Sequence, residues 1–74
     1  MGRGDLVIGD IYVETITLGD RLHVPHPETK ANVIGKAVQL TLMADDRWRI
    51  TIQLDTGYSF DIYRDPGDRI DREL

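Results

Sequence analysis

The chain has 74 residues, 30% of them charged, a formal net charge of −4 and no cysteine. That length sets a single domain whose core buries only about 60% of the surface an unfolded chain exposes, so little stability is left to build an elaborate catalytic cavity. The lack of cysteine excludes a disulfide framework and a thiolate metal site, and the acidic balance opposes nonspecific attraction to nucleic acid.

No apolar run approaches the roughly 20 residues needed to span a bilayer, and no secretory h-region opens the chain, so the expected location is cytoplasmic with no membrane association. Met1-Gly2 opens like a myristoylation signal, but Leu6 stands where that signal takes Ser or Thr. Acid comes mostly as Asp and base mostly as Arg, the bias of a GC-rich coding genome, and the expected origin is bacterial or phage.

Met1 to Gly9 holds three glycines and no periodicity, which predicts a loose lead-in, with a single small domain over residues 10–74. Within the lead-in, Arg3-Gly4-Asp5 matches the tripeptide of integrin ligands, a reading that the missing export signal argues against. Ile11 to Leu18 is β-branched and aromatic enough for a strand, but neither face is polar, so a bend that exchanges the buried side is expected within it. Gly19-Asp20 then predicts a turn, followed by a short strand from Arg21 to Val24 with Leu22 and Val24 inward and His23 outward.

Pro25, His26 and Pro27 end that strand, because proline donates no ladder hydrogen bond. Glu28 to Gly35 reads as the longest loop, with Asn32 to Ile34 as a short edge strand inside it that offers a pairing edge to a second copy. The proline-flanked loop also gathers His23, His26 and Glu28, a spacing that can converge on zinc or nickel. A structural zinc site takes four ligands where this segment has three, so no metal or other cofactor is expected.

Three alternating runs follow: Val38, Leu40, Leu42; Trp48, Ile50, Ile52, Leu54; and Tyr58, Phe60, Ile62. Period-two alternation bounded by turn residues predicts a three-stranded antiparallel meander with one buried face. A loop at Asp45-Asp46-Arg47 sets Ala44 opposite Trp48, Leu42 opposite Ile50 and Leu40 opposite Ile52. A loop at Asp55-Thr56-Gly57 sets Leu54 opposite Tyr58 and Ile52 opposite Phe60. Asp65-Pro66-Gly67-Asp68 is a further turn, and Arg69 to Arg72 predicts a closing strand with Ile70 inward.

Leu18-Gly19-Asp20-Arg21-Leu22-His23-Val24 resembles the entry to the first strand of SH3-like barrels of the Tudor and KOW kind, and the meander and closing strand after it are similar to the rest of that layout. The resemblance implies an all-β fold, a small SH3-like barrel of about five antiparallel strands. It covers the architecture only. Tyr58, Phe60 and Trp48 fall on the inward face, so the exposed aromatic cage of Tudor domains is not expected here.

Leu54-Asp55-Thr56-Gly57 is also similar to the active-site segment of aspartic proteases, whose paired aspartates share a proton to activate water; a dimer of this chain would be needed to supply two. The same three residues are already required to turn the chain, and no catalytic residue is assigned. The outward face of the meander, with Met43, Arg49 and Tyr63 in one row, offers residue types enriched at protein interfaces, and His23 and His26 mark the second candidate surface. The expected function is a non-enzymatic binding module for a protein partner, an accessory or regulatory protein. The alternative is a nucleic-acid-associated module using Arg47, Arg49, Arg64 and Arg69, among which five aspartates intervene.

Overall fold

The structure, a computed structural model, describes residues 8–73. Met1-Gly2, Arg3-Gly4-Asp5 and most of the lead-in lie outside the described residues. Six strands form one antiparallel sheet: β1 (Ile8–Tyr12), β2 (Arg21–Pro25), β3 (Asn32–Leu42), β4 (Trp48–Gln53), β5 (Ser59–Arg64) and β6 (Arg69–Glu73), in the order β1-β6-β2-β3-β4-β5. The all-β antiparallel expectation holds, with six strands where about five were expected.

The strand expected over Ile11 to Leu18 is replaced by the end of β1 and a 3₁₀ turn at Val13–Thr15. The Val13 N–H donates to the Asp68 carbonyl (2.9 Å), and the Ile16 N–H returns to the Val13 carbonyl (3.2 Å). Val13 and Ile16, three residues apart, thereby both enter the core. A turn with that spacing, and not a bent strand, is why neither alternating face was polar.

Two turns of the same construction frame this end of the sheet. In Thr17-Leu18-Gly19-Asp20 the Asp20 N–H donates to the Thr17 carbonyl (3.1 Å), and the Thr17 N–H donates to the Asp20 carboxylate (2.9 Å). Asp65-Pro66-Gly67-Asp68 repeats both bonds, at 3.1 and 2.8 Å. Gly19 and Gly67 take φ of +94° and +87°, the left-handed conformation that glycine adopts without penalty.

β2 and β3 form a hairpin closed by the His26 N–H to the Ala31 carbonyl (2.8 Å) and the Lys30 N–H to the His26 carbonyl (2.9 Å). The long loop expected to reach Gly35 is therefore a tight reversal that ends at Ala31. Asn32 to Ile34 open an eleven-residue strand and pair with Pro25 to His23 of β2; β4 pairs with β3 only from Lys36 to Leu42, so among the described residues their other side has no strand partner. Gly35 is the reason for the misreading. It sits inside β3 opposite Leu22, where a Cβ would lie 2.2 Å from the Ile52 Cγ2; the glycine admits a neighbour instead of ending a loop.

Further along β3, a bulge between Ala37 and Gln39 leaves Val38 39% exposed, although the alternation placed it inward. The bulge exchanges the buried parity, from Gly35 and Ala37 before it to Leu40 after it. The β3–β4 pairing is Leu42 opposite Trp48 and Leu40 opposite Ile50, two residues from the expected register. Its loop is Ala44-Asp45-Asp46, closed by the Met43 N–H to the Arg47 carbonyl (2.8 Å), with Asp46 at φ +68°. A two-residue shift preserves which face is buried, so hydrophobic patterning could not distinguish the registers. The β4–β5 pairing is as expected: Ile52 opposite Phe60 and Ile50 opposite Ile62, turned by Asp55-Thr56-Gly57 with Gly57 at φ +92°.

The core comprises Val13, Ile16, Leu22, Val24, Ala37, Ile50, Ile52, Phe60, Ile62 and Ile70, and β6 joins β1 to the rest of the sheet by pairing with both β1 and β2. No helix among the described residues is long and apolar enough to cross a membrane.

Candidate binding surfaces

The outward side chains of β3, β4 and β5 follow from the register. Arg49 lies directly opposite Tyr63 on one side and Thr41 on the other. Met43, expected in that row, sits one rung further along, where its N–H bonds the carbonyl of Arg47. Arg47 joins the rungs: its guanidinium carbon lies 5.5 Å from the centre of the Tyr63 ring, and its Nε is 3.5 Å from the Asp65 carboxylate. Tyr63 is 43% exposed, which leaves much of the ring open beside Arg47.

In the next row the Thr51 hydroxyl donates to the Asp61 carboxylate (2.7 Å). Asp61 forms no ion pair with Arg49, one rung away on the same face. The basic stripe does not assemble either. Arg69 pairs with Asp10 (3.1 Å), and Arg64 lies in the inward row with Trp48, its Nη1 donating to the Tyr63 carbonyl (2.8 Å).

His23 and His26 point to opposite faces, because three residues of extended chain reverse the side. His23 is half-buried, and its Nε2 is the one buried side-chain polar atom among the described residues without a hydrogen-bond partner. His26 packs on the inner side: its ring stacks on Tyr58 (centroids 5.4 Å, planes 12° apart) and tilts against Phe60 (5.6 Å). The His26 Nδ1 accepts the N–H groups of Glu28 (3.1 Å) and Thr29 (3.4 Å), which fixes the ring within the hairpin. Glu28 is exposed, and among the described residues no group of three or more His, Asp or Glu side chains is placed to hold a metal ion.

Tyr58 is expected in the inward core, and Arg47 both in the β3–β4 loop and in the basic stripe; the structure instead puts Tyr58 on a partly open surface and Arg47 over Tyr63. Tyr58 follows directly after a hairpin glycine, a position at the sheet's end where the inward face is no longer covered. Beyond that same loop lies a concavity of about 480 Å³ lined by Gly19, Arg21, Lys36, Gln53, Leu54 and Asp55 along with Gly57. Arg21 in it is engaged by Glu73, and Asp55 is 90% exposed and 3.9 Å from Arg21.

Comparisons of the chain with protein-family models, curated proteins and solved structures returned no match.

Proposed function

We propose that this chain is a non-enzymatic binding module, an SH3-like small barrel that docks a protein partner on the outward face of its meander. The fold part of the reading is supported by the strand order, in which the last strand returns to pair beside β2 and the meander runs on from β2 through β5. The observation that carries the functional part is Tyr63, 43% exposed, paired in register with Arg49 and overlaid by Arg47, with Met43 one rung away. Tyrosine and arginine dominate the energetics of protein interfaces, and an exposed ring overlaid by one guanidinium and beside a second arginine offers both an apolar surface and donors for a partner's carboxylates and carbonyls. By composition we place its work in the cytoplasm of a bacterium or in a phage-infected cell, as an accessory or regulatory protein.

The test is a pull-down from source cells with the wild-type chain and with Arg49→Ala/Tyr63→Ala, both verified as folded by circular dichroism. The reading expects one set of proteins retained by the wild type and lost by the double variant, with retention that survives raised salt. Equal retention by both forms refutes this face. Retention of nucleic acid that falls steeply with salt, in the manner of counterion release, replaces the protein partner with the nucleic-acid alternative.

A further inference from the structure

The open side of β5 is a sheet edge among the described residues. The Leu54 N–H donates to the Tyr58 carbonyl (2.8 Å), so by the alternation of an antiparallel ladder Tyr58, Phe60, Ile62 and Arg64 turn their backbone groups toward β4. Ser59, Asp61 and Tyr63 turn theirs outward. The Tyr63 carbonyl accepts the Arg64 guanidinium (2.8 Å), whose bulk at that end of the edge leaves Ser59 and Asp61 as the unobstructed residues. The strand contains no proline or lysine of the kind that blocks edges.

We infer that this edge pairs with the β5 edge of a second copy, antiparallel and centred on Phe60. A two-fold pairing of identical strands has few registers that bring outward groups together, and their side chains discriminate among them. Centred on Asp61, the pairing sets two carboxylates directly opposite each other, which is unfavourable, and needs the obstructed Tyr63 carbonyl. Centred on Ile62, it needs that carbonyl again.

Centred on Phe60, it uses only the unobstructed groups. Ser59 exchanges two backbone hydrogen bonds with Asp61 of the second copy, and the symmetry repeats the exchange. A hydroxyl faces a carboxylate on the outer side. On the inner side Phe60 meets Phe60 of the second copy, and Tyr58, which is 43% exposed, meets Ile62 of the second copy. The pairing is isologous and closes at two chains, so it consumes the edge and leaves no further β5 to extend an aggregate.

Sedimentation velocity from micromolar to millimolar protein tests this directly, with the measured mass expected to rise toward twice that of the monomer. Ser59→Pro removes an outward N–H and no bond to β4, so it is expected to keep the wild-type circular dichroism and remain monomeric throughout. A wild type that stays monomeric at millimolar concentration, or a folded Ser59→Pro variant that still dimerises, overturns the proposal. Register is read separately in this cysteine-free chain by mixing Ser59→Cys and Asp61→Cys under mild oxidation. Preferential disulfide formation between the two variants supports the Phe60-centred pairing. Preferential self-linking of Asp61→Cys, or no cross-linking above that of unfolded chains, overturns it, and this assay stands even if the proline variant fails to fold.

Discussion

The His26 ring lies almost parallel to that of Tyr58, 5.4 Å away, and so ties the β2–β3 hairpin to the β4–β5 hairpin across the end of the sheet. The stack depends on the hairpin itself, since the N–H groups of Glu28 and Thr29 hold the His26 Nδ1. His26→Ala removes the stack and the single acceptor of both N–H groups, and is expected to cost about 1 to 3 kcal/mol of stability. A double-mutant cycle with Tyr58→Ala, read by urea denaturation, should return a coupling of about 0.5 to 1.5 kcal/mol. A coupling of zero would mean that the rings do not meet in solution.

Gly35 and Gly57 should fail by different routes when replaced by alanine. At Gly35 the added Cβ meets the Ile52 Cγ2 at 2.2 Å inside the core, an overpacking expected to cost about 1 to 3 kcal/mol or more. At Gly57 nothing lies within 4 Å, but φ is +92°, and the backbone penalty alone should be about 1 to 2 kcal/mol. Ile52→Ala should therefore relieve the first substitution and leave the second unchanged. Equal coupling of Ile52→Ala to both would contradict the close approach.

The two aspartate-closed turns provide an internal comparison. The Asp20 side chain is 17% exposed and also meets Arg72 (3.6 Å), whereas Asp68 supports a turn that Glu14 braces independently through the Gly67 N–H (3.0 Å). Asp20→Ala is expected to cost about 1 to 2 kcal/mol, and more than Asp68→Ala. Glu14→Ala combined with Asp68→Ala should then exceed the sum of the single effects, because each leaves the other as the remaining brace. Strict additivity in thermal melts would show that the braces act separately.

Asp55→Asn should leave the melting temperature unchanged. Its carboxylate is 90% exposed and 3.9 Å from an Arg21 that Glu73 already engages, a geometry in which surface ion pairs contribute little. The wild type should likewise cleave no peptide in a library digest. Pepstatin-sensitive cleavage lost in Asp55→Asn would instead make the hairpin loop a catalytic one.

The meander was legible because alternation specifies parity, and parity was right wherever a strand ran without interruption, as in β4 and β5. What alternation could not convey was a change of parity within a strand. The bulge at Val38 and the 3₁₀ turn at Val13 to Thr15 both make such changes; the turn blurred the pattern around it, while the bulge left Val38 in a clean alternating run and yet exposed. Gly35 misled for a related reason: a glycine admitted for close packing looks in sequence like one admitted for a turn. Among the surface residues, Arg49 and Tyr63 were placed together because β4–β5 register was set by its loop. Met43 was displaced because the β3–β4 loop lies one residue earlier than its aspartates indicated, at Ala44-Asp45-Asp46. Arg47 is expected in a basic stripe for nucleic acid, and its place over Tyr63 is one that no spacing rule encodes.

The pairing of Ile8 with Glu73 places the two ends of the described chain side by side on neighbouring strands. Chain connectivity is thus almost circular, and the sheet need not begin where the polypeptide does. A linker from Glu73 back to Ile8 with new ends cut between Pro27 and Lys30 would preserve the pairings of β2 with β6 and of β3 with β4, and would make the slow, long-range β1–β6 contact a local one. The order in which the strands form would then change while the sheet they form stayed the same.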